Sequence, residues 1–383
     1  MSVTLHWFLP TSGDGRTMVE RFHANKSLGR AAQRPADVDY LAQVARAAEQ
    51  LGYEGVLTPT GTWCEDAWLT TAALIRETRR LKFLVAFRPG VISPTLAAQM
   101  AGTFQRLSAG RVLLNIVTGG DAVEQRRFGD WHDHDARYAR TDEFLTIVRG
   151  VWSGRPFDFA GEHLSVEGAT TLAAPDPVPR VYFGGSSPAA LPVAARHADV
   201  YLTWGEPPAQ VAEKISKVRA LAAGRDVRFG VRLHTIARDT SAAAWAEAQR
   251  LLDALDPTQV ARAQAQLAAS ESEGQRRMVA LHGGRLAAGA RALEIHPHLW
   301  SGIGLVRGGA GTALVGSHAE IADLIEEYHA AGISEFVLSG YPHLEEAYWF
   351  AEGVRPELAR RGLLAGSPAE ADLAEEFDAA LSL

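Results

Sequence analysis

The stretch FGVRLHTIA, residues 229–237, decides the fold that the sequence predicts. In a β-strand its side chains alternate between two faces, with Phe229 and Leu233 on one face and Arg232 and His234 on the other. Ionisable groups are costly to bury unless they are paired or line a functional site. The segment is therefore either a buried strand whose polar face lines a site or an edge strand whose polar face is solvated.

Strand-like and helix-like segments alternate on both sides of this stretch. Apolar, β-rich segments predict eight strands, at residues 3–9, 55–58, 82–87, 112–117, 181–184, 200–204, 229–237 and 335–339. Helical patterns lie between and after them, at residues 38–51, 66–78, 95–107, 139–152, 189–196, 209–223, 242–254, 319–331 and 344–352. Repeated βα units indicate a parallel sheet, and eight strands of this size favour a closed TIM-type (β/α)8 barrel over an open doubly wound sheet.

Two insertions interrupt the repeat within one predicted domain, which spans residues 1–361. Residues 157–173 predict a small hairpin or loop. Residues 256–299, between strands seven and eight, form a longer insertion that would lie over the barrel mouth, where the active sites of such barrels sit. Its pair of glycines, Gly283 and Gly284, suits a mobile lid, and a disordered excursion is the alternative.

Composition and charge narrow the class of protein. The net charge of −7 argues against nucleic acid as a partner, because phosphate binding needs a clustered basic surface. Cys64 is the single cysteine, which excludes an intrachain disulfide and fits a reducing compartment. No leader precedes the first strand and no apolar stretch could span a bilayer, so we expect a cytoplasmic protein without a membrane partner. The acidic tail, residues 362–383, is expected to fray or to pack as a surface helix.

Polar residues cluster where the predicted strands end, which is where barrel enzymes carry their chemistry. The candidates at these positions are Ser12, Cys64, Asn115, Thr118, Gly185, Ser186, Ser187, Trp204, Tyr341 and His343. The turn that contains Ser186 and Ser187 also opens a helix. Backbone N–H groups there, unobstructed at glycine and supplemented by hydroxyls, suit the phosphate of a cofactor, and an ordinary N-cap serine is the alternative.

Other motifs argue against a dinucleotide-binding site, a P-loop and a metal site. The run RGGAGTALVG has Leu314 where the dinucleotide fingerprint needs its third glycine, and the chain has no GK dipeptide and hence no P-loop. Histidine pairs at 132 and 134 and at 296 and 298 lack the acid–histidine spacing of a known metal site, so no metal ion is predicted.

Eight segments together resemble the FMNH2-dependent alkanesulfonate monooxygenases of the bacterial luciferase-like superfamily. In order, and spanning residues 7–348, they are WFLPTSGDG, GVLTPTGTWCEDAW, NIVTGGD, PRVYFGGSS, YLTWGEPP, FGVRLHTIARDT, GLVRGGAGTALVG and LSGYPHLEEAY. The resemblance implies a two-component reaction. An NAD(P)H-dependent FMN reductase supplies reduced FMN, O2 is the co-substrate, and the C–S bond of a small organosulfonate is cleaved to sulfite and an aldehyde. It also implies a homo-oligomer, either a dimer or a tetramer.

The resemblance also assigns roles to residues of this sequence. Its active-site positions fall on Cys64, Arg232, His234, Arg307, Tyr341 and His343, and its positions around the flavin and its phosphate match Asn115, Thr118, Tyr138, Ser186 and Ser187. We expect the first five of these to be catalytic and His343 to bind the substrate together with Ser12 and Trp204, while Gly185 joins the residues that bind the cofactor. A sulfonate spreads negative charge over three oxygens, which suits the guanidinium group of Arg232 or Arg307. His234 is placed to shuttle or orient a proton.

Two departures from the family bear on the substrate. Close relatives carry histidine where this chain has Ser12, and the loop 16–35 is longer than usual, with donors at Arg21, His23, Lys26 and Arg30. A smaller side chain and extra donors would admit a hydroxylated sulfonate such as the sulfosugar sulfoquinovose, and drift outside the pocket is the alternative. Two further alternatives are a luciferase-like flavin or deazaflavin oxidoreductase acting on a non-sulfonate, and a flavin-binding barrel that has lost catalysis.

Overall fold

The computed structural model describes residues 2–18 and 33–364 of the chain. Eight parallel strands close into a barrel with helices packed around it, which confirms the predicted TIM-type (β/α)8 fold. In the described residues the strands are, in chain order, β1 (Thr4–Phe8), β2 (Asp14–Gly15), β3 (Gln33–Arg34), β4 (Gly55–Thr58), β5 (Lys82–Phe87), β6 (Val112–Ile116), β7 (Phe157–Ala160), β8 (Ser165–Ala169), β9 (Val181–Phe183), β10 (Val200–Trp204), β11 (Arg228–Arg238), β12 (Glu294–His296), β13 (Leu299–Trp300), β14 (Ala313–Ser317) and β15 (Glu335–Ser339). The α-helices are α1 (Val38–Gln50), α2 (Ala67–Leu74), α3 (Pro94–Ser108), α4 (Ala122–Arg127), α5 (His134–Val151), α6 (Ala190–His197), α7 (Pro208–Leu221), α8 (Ser241–Asp253), α9 (Pro257–Ala268), α10 (Glu273–His282), α11 (His318–Ala330) and α12 (His343–Arg360).

The barrel runs through eight of these strands in a closed circuit. Its order is β1, β4, β5, β6, β9, β10, β11 and β15, and β15 pairs back onto β1. Every neighbouring pair in the circuit is parallel. The carboxyl ends of all eight strands therefore meet at one end of the barrel, which we call the mouth.

Strand β11 is longer than its neighbours and leaves the barrel at the mouth. Its first part pairs with β10 and β15, whereas its last part, from His234 onward, pairs in parallel with β14. Strands β13 and β12 extend this side sheet in antiparallel fashion. The residues of β11 between its two ends are all buried, so the alternative of a solvated edge strand is wrong.

The predicted division of β11 into two faces is confirmed. Phe229, Val231 and Leu233 lie in the apolar layer between the barrel and its helices. Arg232 instead packs over the ring of Phe8, which belongs to the cluster inside the barrel. Because strand side chains alternate, the polar face of β11 is directed into the barrel, toward the mouth.

Both insertions lie where the sequence predicts them. Residues 157–173 contain the hairpin of β7 and β8. Residues 256–299 are not a disordered excursion, because they form α9, α10 and β12, and the two helices contribute residues to the wall of the mouth. The predicted mobility of this segment stays a prediction. Residues 365–383 of the acidic tail lie outside the described residues.

Some boundaries differ from the sequence prediction. Helix α5 begins at His134 rather than near 139, because the side chain of Asp133 accepts from the backbone N–H of Ala136 and caps it. Helix α12 runs on to Arg360, with Pro356 inside it. Strand β14 was not predicted, since its residues lie in a glycine-rich run whose pairing partner is the distant β11. In the described part of the chain, no helix combines the length and apolar character that crossing a membrane requires.

Glu335 closes the base of the barrel, at the end opposite the mouth. It is fully buried and accepts a hydrogen bond from the hydroxyl of Tyr182 at 2.5 Å. Its carboxylate lies 3.2 Å from Nε2 of His6 and pairs with Arg228 at 3.0 Å and Arg180 at 3.2 Å. Burial raises the pKa of Glu335, but the contacts with His6, Arg228 and Tyr182 outweigh it and lower that pKa to about 2.

Replacing Glu335 by glutamine should lower the free energy of unfolding at pH 7 by about 3 kcal/mol, because it removes one partner of a buried ion-pair network. The pKa of Glu335 in the folded protein is about 2, below its ordinary value of 4.5, so its stabilisation is complete above pH 4.5 and is lost as the pH falls toward 2. Urea unfolding across this range should show a steeper loss for the unmodified protein than for Glu335→Gln.

Glu54→Gln is the matched control. Glu54 pairs with Lys82 on the surface, where side chains are 39% and 32% exposed, so its loss should change the unfolding free energy by less than about 1 kcal/mol. Equal pH slopes for the unmodified protein and Glu335→Gln below pH 4.5 would contradict the assignment.

Candidate active site

A cavity of about 1510 Å³ opens at the mouth of the barrel. Its walls come from the ends of the barrel strands and the loops after them, and from α9 and α10 of the long insertion. Pockets for one small molecule usually measure about 300–1,000 Å³. The mouth therefore has room for two ligands together, as a reaction between a cofactor and a substrate requires.

One wall of this cavity contains all the residues predicted to surround a phosphate-bearing cofactor. They are Asn115, Thr118, Tyr138, Gly185, Ser186 and Ser187. Asn115 and Thr118 come from the end of β6 and the loop after it, Tyr138 comes from α5, and the last three form the turn between β9 and α6.

The turn after β9 requires glycine at position 185. Gly185 has φ +153°, and a Cβ there would lie 2.6 Å from the Cβ of Ala190, so only glycine fits. The carbonyl of Gly185 accepts from the hydroxyl of Tyr201 at 2.6 Å, and the hydroxyl of Tyr138 hydrogen-bonds with Ser187. Burial raises the pKa of Tyr138 to about 12, so it stays a neutral donor. Neutral hydroxyls and a side-chain-free backbone suit a phosphate group.

Two arginines line the cavity beside the ring of Phe8, and we call this part of the lining the arginine wall. The Cζ atoms of Arg232 and Arg307 lie 4.7 Å and 5.5 Å from the centre of the Phe8 ring. Arg232 donates to the carbonyl of Leu233 at 2.6 Å and to Oγ of Ser339 at 2.9 Å, and it makes no ion pair with any carboxylate of the described chain. Burial and the charge of Arg307 lower the pKa of Arg232 to about 9. This wall therefore attracts an anionic ligand.

A layer of buried aromatic side chains lies behind the two guanidinium groups. Arg307 donates to the hydroxyl of Tyr341 at 2.5 Å. The Tyr341 ring stacks on His234, with 5.3 Å between centroids, and meets the edge of His343 at 5.4 Å. Burial, together with the charges of Arg232, Arg307 and His343, lowers the pKa of His234 well below its ordinary value, so this ring is neutral at physiological pH.

The remaining predicted residues lie at the margin of the cavity. Trp204 lines it, and its ring lies 3.0 Å from the position that a Cβ on Gly274 of α10 would take, so the insertion packs directly on it. Cys64 is half-buried, with its Sγ 3.6 Å from the carbonyl oxygen of Gly61. Cys64 and Ser12 are not among the described residues that line the cavity. The predicted donors at positions 21, 23, 26 and 30 lie outside the described residues.

Sequence reasoning missed the ion pairs that fasten the insertion over the mouth. Glu206, fully buried after β10, pairs with Lys214 at 2.9 Å and with Arg277 of α10 at 2.5 Å. Burial raises the pKa of Glu206, but Arg277 and Lys214 outweigh it and lower that pKa. Glu271, just before α10, pairs with the buried Arg137 of α5 at 2.6 Å. Glu206 lies at a strand end, which is a usable signal, but nothing local in the sequence points to its partners.

Comparison with known proteins gives the family and the fold. Residues 3–335 match the model of the luciferase-like monooxygenase family. Three similar solved structures are a riboflavin lyase with modified FMN and riboflavin (TM-score 0.77, 20% identity, covering 96% of this chain and 93% of that one), a long-chain alkane monooxygenase (0.70, 19%, 96% and 93%), and EDTA monooxygenase from Chelativorans sp. BNC1 (0.73, 19%, 95% and 95%).

These three structures share the architecture, but their stated substrates differ widely, so the fold leaves the substrate open. The family model, in contrast, extends over most of the chain and includes seven of the eight barrel strands in full. On that evidence, the chain belongs to the luciferase-like monooxygenase family.

Proposed function

We propose that this protein is the monooxygenase of a two-component system, which uses reduced FMN and O2 to cleave the C–S bond of an organosulfonate into sulfite and an aldehyde. The observation that carries the proposal is the placement of Arg232 and Arg307 together on one wall of a cavity large enough for two ligands. A sulfonate is a permanent anion with three oxygens, and it matches two planar guanidinium groups.

The reaction also requires a site for FMN, and we assign that site to the turn after β9. The hydroxyls of Tyr138, Ser186 and Ser187, which lie around Gly185, fit the FMN phosphate, and Asn115 and Thr118 line the same wall. When bound in its reduced form, FMN supplies the electrons that activate O2. An NAD(P)H-dependent FMN reductase would provide it in that form. That partner and the homo-oligomer stay predictions from the family resemblance.

The residues of the arginine wall then have distinct roles. Arg232 and Arg307 bind the sulfonate oxygens, and the hydroxyl of Tyr341 holds Arg307 toward the cavity. His234, held neutral, orients Arg232 indirectly, because Ser339 bonds both to Nδ1 of His234 and to the guanidinium. Cys64, half-buried beside the mouth, supports the loop that carries it rather than the reacting groups.

Exclusion of water is the second requirement of such a reaction, because reduced flavin and O2 otherwise yield peroxide without oxygenation. Helix α10 packs on Trp204 and is fastened by the pair of Arg277 and Glu206. We propose that the insertion shields the arginine wall from solvent while the aromatic rings of Phe8 and Trp204 give the substrate an apolar surface.

A sulfosugar is the second candidate substrate. The observation that favours it is the polar character of α9, whose residues Thr258, Gln259 and Arg262 line the cavity and match the hydroxyls of a sugar. Ser12 does not contribute to this argument, because it lies away from the cavity wall. A deazaflavin-dependent hydride transfer to a neutral substrate would leave the arginine wall without an anionic partner, so we place it below both sulfonate candidates.

The test of the reaction is sulfite release with FMN, NADH, O2 and a generic flavin reductase. A panel from methanesulfonate through octanesulfonate to sulfoquinovose separates the two candidates. We expect sulfite that depends on both O2 and FMN from one class, and a loss of at least about 10²-fold in Arg307→Ala, which removes a donor to the sulfonate. Cys64→Ala should cost much less. If the protein binds reduced FMN but releases no sulfite from any compound, the sulfonate is refuted as the substrate and the proposed flavin site is retained.

The buried charge of Arg232 should impose a measurable cost on folding. Its pKa is lowered, so the charged form is destabilised in the folded protein, and Arg232→Met should abolish turnover without lowering the free energy of unfolding by more than about 1 kcal/mol. An alkanesulfonate should raise the melting temperature of the unmodified protein but not that of the variant.

Arg238→Met, on the same strand, is the matched control and should behave in the opposite way. Arg238 forms a two-pronged ion pair with the buried Glu346, at 2.6 Å and 3.0 Å, so its removal should cost about 3 kcal/mol at pH 8 while turnover of the folded enzyme persists. Equal destabilisation by both substitutions would contradict the proposed site.

A further inference from the structure

One carboxylate lies buried behind the arginine wall, and nothing in the roles given above uses it. Asp14 follows the end of β1 and is 4% exposed. It accepts from the backbone N–H of His343 at 2.9 Å and 3.0 Å, lies 2.9 Å from Nδ1 of the same residue, and accepts from the hydroxyl of Tyr40. One side chain therefore binds both the first residue of α12 and its imidazole ring.

The protonation state of Asp14 fixes the hydrogen bond to the ring. Burial raises the pKa of Asp14, but the charge and hydrogen bonds of His343 and the hydrogen bond from Tyr40 outweigh it and lower that pKa. An ionised carboxylate can only accept, so Nδ1 of His343 must carry the proton. The second nitrogen, Nε2, is then the acceptor of a neutral ring. It is buried and has no hydrogen-bond partner among the described residues.

The two histidines of the buried layer consequently face opposite surroundings. His234 has only a neutral hydroxyl, that of Ser339, at its Nδ1 and lies among positive charges that oppose its protonation. His343 has a carboxylate at 2.9 Å, which can compensate a positive charge on the ring. Titratable groups whose environments diverge in this way take different acid–base roles. Of the two rings, His343 is the one equipped to receive a proton.

We propose that Asp14 is a positioning residue of this site, which acts through His343. It fixes the proton on Nδ1, leaves Nε2 as the acceptor nitrogen behind Tyr341, and lets the ring carry a positive charge when it is protonated. The consequence for turnover rests on the proposed function. The consequence for the tautomer does not, because it follows from the geometry of the resting protein.

The charges around this pair define the pH dependence that we expect. The titratable and charged groups packed around it are Tyr40 on α1, Arg34 on β3, Glu345 on α12, His234 on β11, Tyr341 after β15, and Arg232 and Arg307 on the cavity side. Arg34 and Glu345 are about one-third exposed, so the pair connects to solvent through Tyr40 and Arg34. Asp14 is the one buried carboxylate among them, so its removal should change the hydrogen bonding of the His343 ring most.

The test compares Asp14→Asn with Tyr40→Phe. Asparagine keeps one oxygen for the backbone N–H of His343 but removes the charge, whereas Tyr40→Phe removes a hydrogen bond to Asp14 and leaves its charge in place. Histidine-selective ¹⁵N NMR of the resting protein, with His343→Gln to assign the signal, reports the tautomer directly. We expect the Nδ1–H form of His343 in the unmodified protein and in Tyr40→Phe, and its loss in Asp14→Asn.

The pH profile of kcat then reports the consequence for turnover. Asp14→Asn should lower kcat by at least about 10²-fold and shift the acidic limb of the profile, as expected when an acid–base group loses its partner. Tyr40→Phe should lower kcat by less than about tenfold, with the limb unmoved.

A role confined to anchoring α12 predicts a different result, in which both variants lose stability alike and neither alters the tautomer or the profile. An unchanged His343 tautomer in Asp14→Asn would overturn the proposal, whether or not the protein releases sulfite. If the His343 tautomer changes in Asp14→Asn but the unmodified protein releases no sulfite from any compound, the positioning role is supported and the proposed reaction is refuted.

Discussion

The length of strand β11 is the constraint on which the barrel, the site and the insertion all depend. Its eleven residues pair first with β10 and β15 inside the barrel and then with β14 beyond it. His234 lies at the switch, where it pairs with residues of both β14 and β15. Because side chains alternate along this strand, Arg232 and His234 are directed toward the mouth, whereas Phe229, Val231 and Leu233 pack against the helices.

Arginines at the two ends of the barrel have opposite electrostatic surroundings. At the base of the barrel, Arg180 and Arg228 meet a carboxylate, that of Glu335, and the charges compensate one another. At the mouth, Arg232 and Arg307 both pack against the ring of Phe8, and Arg232 bonds only to neutral oxygens of the described chain. The first arrangement stabilises the fold, whereas the buried guanidinium of Arg232 leaves positive potential at the mouth.

The insertion is part of the site rather than an addition to it. Helix α10 reaches Glu206 after β10, and the turn before it reaches Arg137 on α5, the helix that carries Tyr138. The same segment packs on Trp204. Because the insertion contacts both walls of the cavity, a movement of the insertion would change the surroundings of the turn after β9 and of the arginine wall together.

The sequence alone determined the eight strands, the parallel barrel and the two faces of β11, because these follow from local periodicity in hydrophobicity. It also placed the turn after β9 and the polar strand ends at one mouth, since a barrel gathers all its strand ends there. Tertiary structure alone decided the rest. Asp14 and His343 are 329 residues apart in the sequence, and Glu206 and Arg277 are 71 residues apart. Strand β14 likewise pairs with β11, which is distant from it in the sequence. Such contacts depend on how the barrel closes, and periodicity along the chain carries no record of which distant residues that closure brings together.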